Sequence, residues 1–267
     1  MALRFCPLYS GSSGNCTFIS DGKTGIIIDA GLSGKRIEAA LAQIDFLPEA
    51  LSGILITHEH TDHVKGAGIL SRKYHLPIYS NEGTKNAMRS ALGAVPDNMF
   101  RIFETGSDFY IGSLAVRAFP IPHDAREPVG FKVFSGARSV AVATDMGYLR
   151  NNVIDELSGT DMILLESNHD PQMLMNNPHY SAQLKRRILG NHGHLSNETC
   201  AAGVLRLYEE GTRHFVLGHL SGENNTPELA FDTTLNAVVR AGLAPDSDVY
   251  IHMAWRDHVG EVYTIDG

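Results

Sequence analysis

An α/β fold, with sheets covered by helices, is the class this sequence predicts. Two observations carry the prediction. Short apolar runs bounded by turn signals alternate with helical stretches along the 267 residues, the arrangement in which helices bury the faces of sheets. Five of the predicted strands also end in a polar residue of metal-binding type: Ile28 is followed by Asp29, Thr57 by His58, Thr144 by Asp145, Leu165 by Glu166, and Leu217, after Gly218, by His219. Functional sites in open α/β architectures collect at the carboxyl ends of strands.

The elements follow in order. Residues 16–19 and 25–28 read as two strands joined across the turn Asp21-Gly22. Residues 32–43 read as a helix, with Ser33 as N-cap and Ile37, Ala40, Leu41 and Ile44 on one face. The apolar run 53–57 is a strand, and residues 64–74 a helix opening directly after it. Further strands are expected at 78–79, 114–116, 129–134, 139–143, 162–165, 215–217 and 249–253, and helices at 181–189, 198–208 and 227–241. Thr226 followed by Pro227 is a strong start signal for the last helix. Gly31, Gly66, Gly147 and Gly218 lie near the strand ends, where backbone must turn tightly or approach closely.

No linker, repeat or low-complexity block divides the chain, so a single domain spanning residues 1–267 is expected. The net charge of −8 gives no global basic face for polyanion binding. Cys6, Cys16 and Cys200 are odd in number and lack C-x-x-C spacing, which argues for reduced, buried thiols. The N-terminus does not read as a signal peptide and no apolar run is long enough to span a bilayer. A soluble cytoplasmic protein without membrane partners is expected.

The densest chemical signal is His58-Glu59-His60-Thr61-Asp62-His63, directly after a strand. Imidazole nitrogen and carboxylate oxygen suit a borderline divalent ion, and the cluster has distant partners of the same types at the strand ends Asp29, Asp145 and His219. His123 stands alone between prolines and Asp124; His75, His214, His252 and His258 have no such support.

Asp29, His58-x-His60-x-Asp62-His63, His123, Asp145 and His219 together resemble the five ordered motifs of the metallo-β-lactamase superfamily. The resemblance implies a four-layer αββα sandwich and a pair of divalent metal ions. It implies that His58, His60 and His123 hold the first ion, that Asp62, His63 and His219 hold the second, and that Asp145 bridges them. Asp62 would also take part in catalysis, and Asp29 would orient the ligands from behind. Zn, Mn, Fe and Ni all suit such a mixed site, so the metal identity stays open.

Other segments are similar to the YycJ/WalJ-like phosphodiesterase and exonuclease subgroup. These are Tyr9 to Cys16, Leu165 to Asp170, Leu184 to Gly190, Gly193 to Asn197 and Leu217 to Asn225. The resemblance implies 5′-to-3′ exonuclease action on DNA ends. It pairs Glu166 with His194 as a proton shuttle; a carboxylate-held imidazole can protonate a leaving alkoxide. Candidate substrate contacts are Ser12, Ser13 and Asn15 in the Ser/Gly loop, His169 near the mouth, and Arg186 and Arg187 in the densest basic run. His192 is a weaker candidate for the shuttle.

The stretches from His63 to His123 and from Asp145 to His219 are too short for an inserted β-CASP domain with its own core. That departure favours a small, general phosphodiesterase site. The alternative is hydrolysis of an ester, lactone or thioester on the same ligands. DNA against RNA, cleavage polarity and oligomeric state are left open.

Overall fold

The computed structural model describes residues 2–266. Met1 and Gly267, the ends of the expected domain, lie outside the described residues. Two mixed β-sheets with flanking helices make up the architecture, as the alternation of apolar runs and helical stretches predicts. The chain divides into two compact units. One comprises residues 1–120, 125–139 and 255–267, the other residues 121–124 and 140–254.

The first unit holds β1 (Leu3–Tyr9), β2 (Cys16–Ser20), β3 (Gly25–Ile28), α1 (Gly34–Gln43), β4 (Leu51–Leu55), α2 (Thr61–Val64), α3 (Ala67–Tyr74), β5 (Ile78–Ser80), α4 (Glu82–Leu92), β6 (Phe100–Ile102), β7 (Asp108–Ile111), β8 (Leu114–Pro120) and β9 (Val129–Ser135). Its main sheet places β1, β2, β3, β4, β5 and β6 side by side, antiparallel up to β3 and parallel beyond. The strands β7, β8 and β9 form an antiparallel ladder. The turn between β2 and β3 is built by Asp21, whose Oδ1 accepts from the amides of Lys23 at 2.9 Å and Thr24 at 2.8 Å. On α1, Ile37, Ala40 and Leu41 are buried, the face that the sequence period marks.

The second unit holds β10 (Arg138–Ala143, whose first two residues belong to the first unit), α5 (Asn151–Leu157), β11 (Met162–Glu166), α6 (Pro171–Asn176), α7 (Ala182–Ile188), α8 (Asn197–Glu209), β12 (His214–Gly218), α9 (Pro227–Arg240) and β13 (Tyr250–Met253). The ladder β10-β11-β12-β13 is parallel throughout. Its strands are apolar on both faces, as helix-covered parallel strands are. Ser181, Ser196 and Thr226 cap α7, α8 and α9 by accepting from the amide three residues on. The remaining strand, β14 (Tyr263–Ile265), returns to the first unit beside β1.

Two expectations need correction. Residues 64–74 are not one helix. A single turn at α2 ends before Gly66, whose amide leaves the helical ladder to donate to Ala30 O at 2.7 Å, and α3 begins afterwards. The expected strand at 53–57 ends at Leu55, so the metal motif starts from a short irregular step rather than from the strand itself. The strand β1 was hidden by Pro7, which reads as a breaker. It is tolerated because β14 pairs only with Leu3, Arg4 and Phe5, so the missing N–H breaks no bond on that side. All three cysteines are buried and free.

Candidate active site

The first unit builds its cluster around Asp29. This residue follows β3 with φ 62° and donates its amide to Leu55 O at 2.7 Å. Left-handed backbone is uncommon outside glycine, though Asp tolerates it better than most residues. The turn aims the carboxylate at the motif. Oδ1 accepts from the Thr57 amide at 2.9 Å and Oδ2 from the Thr57 hydroxyl at 2.9 Å. Oδ2 also lies 2.8 Å from His63 Nδ1. That contact sets the ring so that Nε2 is the nitrogen turned away from Asp29.

The Thr57 hydroxyl also stands 3.0 Å from His58 Nδ1. The rings of His58 and His63 are 4.0 Å apart, and His58 Nε2 lies 3.1 Å from His60 Nδ1. His58 and His63 are fully buried, while His60 and Asp62 are partly exposed. The backbone leaves no room for a side chain at Gly31. A Cβ there would stand 1.6 Å from Asp62 O. This close approach locks the Asp29 turn against the motif loop, with Ala30 N donating to His63 O at 2.8 Å.

The second unit builds its cluster from five segments. Asp145 follows β10 with φ 62°, and His219 follows β12 with φ 55°. Asp145 Oδ1 faces three imidazoles: His219 Nε2 at 3.2 Å, His194 Nδ1 at 3.7 Å and His123 Nε2 at 3.8 Å. His123 Nδ1 lies 3.3 Å from Gly193 O, which turns Nε2 inward. Burial holds the His123 pKa below its usual value against the opposing pull of Asp145. A neutral imidazole is the form that can bind a metal.

Glu166, the last residue of β11, is fully buried. Its Oε2 accepts from Met146 N at 2.7 Å and Leu195 N at 3.1 Å, and its Oε1 lies 2.7 Å from His194 Nδ1. Asp145, Glu166, His194 and His219 each offer a ligand atom, all within 4.8 Å of one another. The donor chemistry fits a divalent cation. Ligand bonds of roughly 2.1 Å in tetrahedral geometry separate the ligand atoms by roughly 3.4 Å, close to the spacings around Asp145 Oδ1.

Other predicted residues fall in different places. Asn15 is buried: Oδ1 accepts from Gly11 N at 3.0 Å, and Nδ2 stands 3.1 Å from His63 Nε2. It props the motif loop. Ser12 and Ser13 are exposed in the turn before it. His169 is buried, with no hydrogen bond to either ring nitrogen among the described residues, and burial pushes its pKa down to about 4. Arg186 is exposed on α7, and Arg187 pairs with Asp124 beside His123. His192 is exposed, and its carbonyl accepts from Asp124 N at 3.1 Å.

Sequence reasoning missed two supporting residues. One is Thr57, the hub between Asp29 and two imidazoles. The other is Asn168, whose Nδ2 donates to His219 O at 2.8 Å and so helps hold the left-handed turn at His219. A hydroxyl residue wedged between a strand and a His cluster was the available signal for the first. The second had none, because its partner is a backbone oxygen 51 positions away.

Residues 24–220 match the family model described as "Beta-lactamase superfamily domain". The chain is 38% identical over 252 residues to "Exodeoxyribonuclease YycJ" of Bacillus anthracis, covering 94% of this chain and 95% of that one. It is 39% identical over 254 residues to "Exodeoxyribonuclease WalJ" of Streptococcus pneumoniae strain D39, covering 94% of each. Among solved structures, the metallo-β-lactamase fold protein YhfI of Bacillus subtilis superposes with a TM-score of 0.72 at 13% identity, over 98% of this chain and 99% of that one. That last likeness concerns the fold, which is the αββα arrangement the motif resemblance implies. The chain belongs to the beta-lactamase superfamily and, within it, to the family of YycJ and WalJ.

Proposed function

We propose that the chain is a metal-dependent phosphodiesterase that removes nucleotides from DNA ends, with 5′-to-3′ polarity, in the cytoplasm. The observation that carries this reading is the Glu166–His194 contact of 2.7 Å beside Asp145 and His219. A departing nucleoside alkoxide is a poor leaving group that benefits from a placed proton donor, whereas the thiolate of a thioester leaves without one. The relatives named exodeoxyribonucleases, aligned over 94% of the chain, support the same conclusion.

The ligand set we propose is His58, His60 and His123 for one ion and Asp62, His63 and His219 for a second, with Asp145 shared. Zn, Mn, Fe and Ni all suit these donors. When bound, such a pair of cations neutralises charge on the phosphoryl oxygens and makes water a usable nucleophile at neutral pH.

The remaining chemistry belongs to side chains. Glu166 is sealed from solvent and accepts two backbone amides, so its carboxylate is fixed. His194 keeps 23% of its side chain exposed and is therefore the member of the pair that can reach substrate. With Nδ1–H donated to Glu166, the protonated ring offers Nε2–H to the leaving oxygen. Asp29 and Thr57 hold the motif imidazoles in place throughout.

The test is a panel of labelled DNA, labelled RNA, bis-p-nitrophenyl phosphate, a lactone and a thioester, run across several metals with products mapped at each end. DNA shortened from its 5′ end is the expected result. Turnover of the thioester or lactone alone would overturn the reading.

A further inference from the structure

Between Glu166 and His194 the chain makes an excursion whose two feet are clamped together. Besides the Glu166–His194 contact, Asn168 N donates to Leu195 O at 2.9 Å and Asn197 N donates to His169 O at 2.9 Å. The excursion carries α6 and α7. Beside α6 lies a cavity of about 710 Å³ lined by Met173, Asn176, Asn177, Pro178, His179 and Glu223. Its floor is rigid. Buried Asn177 donates to Asn224 Oδ1 at 2.7 Å and Glu223 Oε2 at 3.3 Å, and it accepts from His179 N at 2.8 Å.

The helix α7 buries no side chain, yet it presents Lys185, Arg186 and Arg187 in a chain of net charge −8. Lys185 is tied to Met175 O at 2.6 Å and Arg187 to Asp124. Arg186 is exposed, and its side chain makes no hydrogen bond or ion pair among the described residues. Two cations thus anchor the helix, and the third is available for a ligand.

The cavity's chemistry selects an occupant. Glu223 repels a phosphate, so an anion does not belong inside. Pro178, His179 and Met173 offer flat or polarizable apolar surfaces, while Asn176 and Glu223 offer polar partners for an amino or imino edge. A neutral planar group with donors fits this lining, and its attached anion would meet the basic helix α7, which the Lys185–Met175 O contact ties to α6. Single-stranded nucleic acid combines the two, since bases stack on such surfaces while the backbone follows positive charge.

We propose that this cavity and Arg186 form a strand-binding subsite that takes a nucleobase and a neighbouring phosphate of the single strand being degraded. The inference rests on the phosphodiesterase reading. It adds that the excursion rising from the proton-transfer pair is the surface along which the strand is held.

The experiment uses the metal-loaded full chain with oligothymidylates of increasing length and with bis-p-nitrophenyl phosphate, which is too small to reach the subsite. Arg186→Ala and His179→Ala are compared with wild type. In the wild type kcat/KM rises with oligomer length. Each variant raises KM for a long oligomer by about tenfold relative to its KM for the small diester. Arg186→Ala also lowers the slope of log affinity against log salt by about 0.7, the value for one phosphate contact on a single strand. Unchanged length dependence and salt slope in both variants would overturn the subsite. So would wild-type turnover of the small diester without the oligomers, which leaves the metal-phosphodiesterase reading standing. Turnover of neither substrate would overturn that reading itself.

Discussion

Asp29 and Asp145 occupy the same kind of place and do different work. Each follows a parallel-paired strand, and each has a φ of 62°. Asp29 spends its oxygens on hydrogen bonds from the Thr57 amide, the Thr57 hydroxyl and His63. Asp145 instead turns one oxygen toward three imidazole nitrogens at 3.2 to 3.8 Å, two of them beyond hydrogen-bonding range. One backbone device therefore serves two ends. Satisfied by donors, the carboxylate orients other residues; facing imidazoles, it offers an oxygen that could hold a metal ion. Strain of this kind persists only where the surroundings over-determine it, and Gly31 in the first cluster and Gly147 in the second supply that constraint. A Cβ at Gly147 would stand 2.2 Å from the Asn191 backbone.

The largest test of this contrast concerns the second cluster, where Glu166 and His194 sit within ligand distance of Asp145. If they serve proton transfer, His194→Ala and Glu166→Gln lower kcat on DNA by about 10²- to 10⁴-fold while the metal content of the purified protein stays at the wild-type level. Loss of metal in step with activity would make them ligands and end the proton-donor assignment.

The next effect is in the first cluster. Asp29→Ala frees His63 and Thr57 without removing a ligand, and metal affinity is expected to fall by about 10- to 100-fold. A chelator competition reads this directly. Affinity equal to wild type would mean that Asp29 does not orient the motif.

The smallest effect belongs to His169, buried next to the second cluster. Its pKa of about 4 lies below the ordinary 6.5, so the unfolded chain binds more protons between these values. Stability contributed by the neutral ring is whole above about pH 6.5 and is lost as pH falls toward 4, by up to about 3 kcal/mol. Urea midpoints of chelator-treated protein should therefore fall less steeply between pH 7 and 4.5 in His169→Gln than in wild type. Parallel curves for the two proteins would refute it.

The two clusters also differ in how much of each could be read from sequence. The first is mostly local: four donors lie within six residues, and Asp29 and Asn15 reach it from elsewhere. Its density set it apart before any fold was known. The second is assembled from His123, Asp145, Glu166, His194 and His219, single residues spread over almost a hundred positions. Strand-end placement pointed to three of them, but His123 and the pairing of Glu166 with His194 came from the family resemblance. Backbone effects were beyond reach in both. Nothing in the residue types at 64–74 announces that Gly66 leaves its helix for Ala30 O. Nor did the Ser/Gly loop reveal that Asn15 would be buried under the motif while Ser12 and Ser13 stay exposed. These outcomes depend on close approaches between distant segments, which local patterns do not encode.

The ligand set proposed above stands or falls on metal binding. Metal analysis of the purified chain and of His60→Ala and Asp145→Ala tests it most directly. About two equivalents of divalent metal are predicted in the wild type, falling to about one or fewer in each variant. Full wild-type metal content in either variant would contradict the account.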